Sequence, residues 1–197
     1  YLNYGSGDWY GRASYSYRWE DAATPLIGVS SHNLGVMVGR KINPCLDLEL
    51  SASHSWDEFH TPGVGIFERD GQRNKYSLSL IHQAYEHGTR YVLTYSYLDN
   101  DSDGSFFRYD GHQISARMEK PLTARIGLVV QATYTDLEYD SVLHADQDYL
   151  SAGIQLIYVI DDHWSADIYY NYLDIDSDVA IFDGDRNNVG IGLRYDF

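Results

Sequence analysis

Apolar and polar residues alternate along most of the chain. ARIGLVVQATYT sets Ala124, Ile126, Leu128, Val130, Ala132 and Tyr134 on one side. Arg125, Gly127, Gln131, Thr133 and Thr135 take the other, with Val129 the exception. The stretch NNVGIGLRYDF repeats the pattern, with Val189, Ile191, Leu193, Tyr195 and Phe197 on its apolar side. A period of two marks strands with a single apolar face. It predicts strands over 9–20, 32–41, 45–57, 73–85, 89–99, 110–120, 123–137, 147–160, 163–174 and 187–197, the signal being weakest in SHNLGVMVGRK.

The connections alternate too. KINP, YEHGT, EKPLT and IDDHW are tight-turn sequences, whereas DAATPLIGVSS, EFHTPGVGIFERDG, DNDSDGSFFRYD, LEYDSVLHAD and DIDSDVAIFDGDR are long. Together these features predict an all-β fold. The expected form is a single closed antiparallel transmembrane β-barrel of about ten strands, with short periplasmic turns and five longer extracellular loops. Residues 1–197 form one domain in this reading, with both termini periplasmic.

A soluble sandwich would also use one apolar face per strand, but the rings weigh against it. Tyr15, Tyr17, Trp19, Trp56, Tyr95, Tyr97, Tyr134, Tyr170 and Tyr172 cluster toward the long-loop ends. Tyr76, Tyr91, Tyr158, Trp164, Tyr195 and Phe197 sit at the turn ends, with aliphatic residues between. Two ring belts around an aliphatic waist suit two lipid–water interfaces. A sandwich core has no reason to keep its rings at both ends.

Composition sharpens this picture. The chain has 19 Tyr and 4 Trp against 6 Phe, which favours rings with a polar handle. Its formal charge of −15 excludes nucleic acid as a partner, since phosphates need neutralising cations. No apolar run is long enough for a transmembrane helix. The opening YLNYGSGDWYG reads as a processed or truncated chain. Cys45, alone, offers no internal disulfide.

On the polar face, Arg12, Arg18, Asp47, Glu49, Arg117, Arg125, Asp167 and Arg194 are expected to form a lumen network. Mixed charges in a confined space favour mutual pairing. About ten strands would leave little bore beyond side-chain filling. The expectation is a polar plug, with a narrow solute path as its alternative.

The segment 99–110, DNDSDGSFFRYD, has the spacing of a calcium loop. Asp99, Asp101 and Asp103 would supply side-chain oxygens, Ser105 its carbonyl and Asp110 the closing ligand, around Gly104. Flanking helices are missing, and a solvated acidic rim accounts for the same residues. Calcium is therefore the one candidate cofactor, and none is required. His60, His112 and His144 sit in or beside the long loops, and His32, His54, His82, His87 and His163 are scattered without the close spacing of a zinc site.

The closing VGIGLRYDF, with Tyr195 and Phe197 at alternating positions, resembles the last strand of bacterial outer-membrane β-barrel proteins as a broad class. That resemblance implies an outer-membrane location, a surround of lipid and lipopolysaccharide, and insertion by the barrel assembly machinery, which reads such a strand. The omptin proteases are ten-stranded barrels too, but no stretch of this chain matches theirs. Lipid A-modifying barrels offer no spacing to carry over either. The function expected is a non-enzymatic anchor, scaffold or surface component, alone or joined to a periplasmic or surface protein in a larger assembly. A narrow channel or export component is the alternative, and a protease or lipid-modifying enzyme ranks below both. The chain is more readily taken as no enzyme.

Overall fold

The computed structural model describes residues 2–20, 28–60, 65–84, 88–141, 146–179 and 183–195. These form eleven strands: β1 Leu2–Ser6, β2 Trp9–Glu20, β3 Val29–Asn43, β4 Leu46–Phe59, β5 Gly71–Ala84, β6 Thr89–Ser102, β7 Tyr109–Pro121, β8 Ile126–Tyr139, β9 Gln147–Val159, β10 Trp164–Ser177 and β11 Gly184–Tyr195. Each pairs antiparallel with its sequence neighbours in one continuous sheet. Short 3-10 turns at Gly65–Phe67 and Ser105–Phe107 occupy two of the long connections.

The two-residue alternation carries through every ladder. Tyr15 faces Leu34, Ala13 faces Val36 and Leu50 faces Leu78, so apolar side chains line one surface from strand to strand. That surface is turned outward: Leu50 is 60% exposed and Leu93 52%. An apolar surface this continuous would aggregate in water and is stable only against lipid. From β2 to β11 the strands run 12 to 15 residues. At roughly 3.3 Å per residue and a tilt near 40°, they stand taller than the ~25 Å apolar band, so their ends project into water.

The opposite face is mainly polar: among the described residues its buried apolar side chains are Ile81, Val129 and Leu137. Ser31, Ser96 and Ser102 are almost fully buried, and small hydroxyls pair across strands, as in Ser77–Ser96 (2.9 Å) and Ser79–Thr94 (2.8 Å). These small residues leave room for long neighbours to lie flat along the wall. Lys75, opposite Leu98 on β6, reaches across that strand and donates from Nζ to Gln113 on β7, 2.9 Å away.

The expected closed barrel of about ten strands is corrected in its closure, and its strand count becomes eleven. An eleventh strand, LNYGS, precedes the first one expected and folds onto Trp9–Ala13 across a turn in which Gly7 has φ 61°. Nor does the sheet close among the described residues: β1 and β11 share no ladder. The outer edge of β11 and the edge of β2 beyond Ala13 stay unpaired. Consequently Ile191 is 84% exposed, whereas Leu156, on the same apolar face but between two partners, is 41% exposed. Alternation assigns a side chain to a face, but it does not say what pairs with the last strand.

Candidate functional site: the inward wall

The inward face is a wall of local polar clusters rather than one network. Near the tight turns, the Tyr10 ring lies flat over Gly39. Its hydroxyl sits 2.9 Å from Glu49 and 3.2 Å from Asp47, donating to one carboxylate at a time. These groups, with Lys41, Gln83 and Arg90, line a cavity of about 570 Å³. Arg117 donates to Glu119 (2.7 Å) and Gln131 (3.2 Å), and Arg90 approaches the same glutamate at 3.5 Å. Farther along the sheet, Gln155 donates to Asp167 (3.0 Å).

Toward the long loops a second cavity, of about 480 Å³, is lined from β2 round to β8 by Arg18, Asp57, Arg73, Tyr109 and Tyr139 among others. Lining contributed by strands so far apart in the sheet shows how strongly it curls. Arg18 pairs with Glu20 at 2.5 Å. Arg73 donates to Asp57 at 2.6 Å, and the Ser31 hydroxyl donates to the same carboxyl group. Asp57 is only 7% exposed, so its charge is held by this pairing.

Of the residues expected in the lumen, Arg12 donates to Asn3 (3.2 Å), and Arg18, Asp47, Glu49, Arg117 and Asp167 take part in the clusters above. Arg194 lies on the inward side of edge strand β11. Arg125 falls in the turn between β7 and β8, outside the strands. The residues are thus distributed over separate groups. Tyr10, Asp57 and Arg73 were missed as interacting members. An aromatic at the polar phase of WYGRASYSYRW was the one available signal for Tyr10. The others pair over registers that sequence does not display.

The 99–110 residues are spread over a hairpin. β6 continues through Ser102, so Asp99 and Asp101 stand on the strand itself. Asp99 accepts from Asn74 Nδ2 (2.8 Å), Arg108 Nε lies 3.0 Å from Asp101, and Asp110 accepts from the Tyr97 hydroxyl (2.7 Å). Ser105 opens the 3-10 turn, and the Asp103 amide donates to the Asp70 carbonyl. Among the described residues, no group of three or more acidic, His or Cys side chains is arranged to hold a metal ion.

The outer ring belt is built on a repeated contact. A tyrosine hydroxyl meets a polar group on the following strand: Tyr15 with His32 (2.8 Å), Tyr95 with His112 (2.7 Å), Tyr134 with Asp148 (2.6 Å) and Tyr170 with Asn187 (2.5 Å). The rings cover apolar depth while their hydroxyls point to a wet, acidic rim. At the other end Tyr195 packs against Trp164, with ring centroids 4.8 Å apart. Phe197 lies outside the described residues, as does His144.

An apolar outer face, two ring belts and a polar inner wall define a β-barrel protein of the bacterial outer membrane, its outward face in lipid. The chain belongs to the family described as putative beta-barrel porin 2, which matches residues 99–197. Solved structures of OmpT, an outer membrane protein of Vibrio cholerae, share the fold. The loop L8 deletion mutant aligns with a TM-score of 0.72 at 18% identity, over 98% of this chain and 60% of that one. The in-vitro folded form gives 0.71 at 18% identity, over 98% and 62%. The outer-membrane expressed form gives 0.72 at 16% identity, over 98% and 62%. This chain thus spans under two thirds of the length of those proteins. No curated protein sequence matches it.

Two expectations are corrected by these findings. The non-enzymatic anchor or scaffold, and the narrow channel or export component set beside it, both rested on a small closed bore. An open eleven-strand sheet, matched over 98% of its length to part of a larger outer-membrane protein, has no such bore. The expectation that the chain is no enzyme rested on the lack of a recognisable catalytic stretch, and the likeness to OmpT over 98% of the chain overturns it as well.

Proposed function

We propose that this chain forms the greater part of the wall of a wide, water-filled diffusion pore for small polar solutes. The observation that carries the reading is a mainly polar inward face, with a few apolar side chains such as Ile81, Val129 and Leu137, on a sheet that eleven strands do not close among the described residues. Barrel diameter grows with strand number, and barrels of about 16–18 strands leave an aqueous channel. Further strands, added at the unpaired edges of β1 and β11, would bring the sheet into that range. Membership in a family of porins and the partial coverage of larger outer-membrane structures support this.

In this arrangement the tight turns and the C-terminal end of β11 face the periplasm, the long loops face outward, and residues 1–197 belong to one barrel domain; β1 runs down to the tight turn at Gly7 from Leu2, level with Ala13 in mid-wall, so the N-terminal end does not share the periplasmic side. The final strand, through Tyr195 and Phe197, is the segment presented to the barrel assembly machinery. Purified full-length protein in planar bilayers should give stable single-channel steps, and sugar-loaded liposomes carrying it should swell at rates that fall with sugar size. Sealed bilayers and liposomes indistinguishable from protein-free controls would sink the reading.

A further inference from the structure

Charge is divided unequally between the two surfaces of the wall. The chain has 14 Lys and Arg against 29 Asp and Glu. Yet the inward positions invert that balance. From β2 to β5 they include Arg12, Arg18, Lys41, Arg73 and Lys75. Farther along the sheet they include Arg90, Arg117, Arg186 and Arg194. Opposed to these nine are six inward acids: Glu20, Asp47, Glu49, Asp57, Glu119 and Asp167. The remaining acids of the described strands stand outward near the long loops, as Asp99, Asp136, Asp148 and Asp174 do.

We infer that the wall favours small anions over cations, an inference that rests on the pore reading above. A mobile ion in the lumen passes within a few ångströms of the inward groups, where water is confined and the low-dielectric wall focuses their field. The outward acids face lipid headgroups and bulk solution. At physiological ionic strength their field fades over about 8 Å. Net charge of the chain therefore predicts the wrong sign for its interior. The inward acids do not cancel the excess. Glu119 is shared between Arg90 and Arg117, while Asp57 and Glu20 are matched one to one by Arg73 and Arg18.

Strands that complete the barrel bring charges of their own, so the test reads a shift as well as a sign. Full-length protein in a neutral bilayer under a KCl gradient should show a reversal potential on the chloride side. Arg117→Glu and Arg194→Glu, made separately, should each lower the chloride-to-potassium permeability ratio by about two- to fourfold. The outward pair Asp136→Asn with Asp174→Asn should leave it unchanged. Heat-modifiable gel mobility confirms folding of each variant, and Arg194, on the edge strand with no ion pair among the described residues, serves if Arg117→Glu fails to fold. A potassium-selective wild type, or charge reversals that leave the ratio where it was, would overturn the inference while the pore stands. Absence of any conductance would overturn both.

Discussion

Arg73→Met should lower the unfolding free energy by about 2–3 kcal/mol. Asp57, its partner at 2.6 Å, is 7% exposed and would lose its ion pair, keeping the hydrogen bond from the Ser31 hydroxyl and the more distant charge of Arg18. Breaking a fully buried pair costs about 3–5 kcal/mol. The figure here is reduced because Arg73 is itself half exposed at the cavity mouth, where water can reach the orphaned carboxylate. Asp57→Asn in the Arg73→Met background should recover most of the loss, since a neutral amide can accept from Ser31 without a counter-charge. Urea titration of the refolded protein in lipid vesicles, run as a double-mutant cycle, measures the coupling. Strictly additive losses would show that the pair contributes nothing beyond its separate side chains.

How much of this wall could be read from sequence depends on what alternation encodes. ARIGLVVQATYT and NNVGIGLRYDF assign faces residue by residue, and the ladders of β8 and β11 carry those assignments over 126–135 and 187–195. The tight turns were legible because Pro, Gly and Asp punctuate them. Strand β1 was not: five residues, LNYGS, offer too few alternations to stand out. Closure was not legible either, because the pleat fixes side and not seam. The segment 99–110 shows a subtler ambiguity. Carboxylates at positions 1, 3 and 5 of a calcium loop are spaced by two, and so are residues on one face of a strand. β6 runs through Asp99 and Asp101, and the structure engages those groups with Asn74 and Arg108. Cross-strand partners such as Lys75 and Gln113, thirty-eight residues apart, depend on a register that no local pattern announces.

Gly39→Val provides the other large effect, and its sign separates two opposing physical expectations. In an ordinary strand a β-branched residue outperforms glycine, which packs no side chain and weakens the ladder. By that rule the substitution stabilises β3. At this position, however, the Tyr10 ring rests directly on the glycine, and a Cβ there would overlap ring carbons and the hydroxyl. The ring cannot shift sideways without leaving Glu49 and Asp47, between which its hydroxyl is held at 2.9 and 3.2 Å. Overpacking of this kind costs about 1–3 kcal/mol, and loss of the hydrogen bond to a carboxylate adds to it. The expected result is a lowered urea midpoint in vesicles. Removing the ring should reverse the order, so that the double variant Tyr10→Ala with Gly39→Val is more stable than Tyr10→Ala alone. A Gly39→Val protein at least as stable as wild type with Tyr10 present would show that the ring does not occupy this surface.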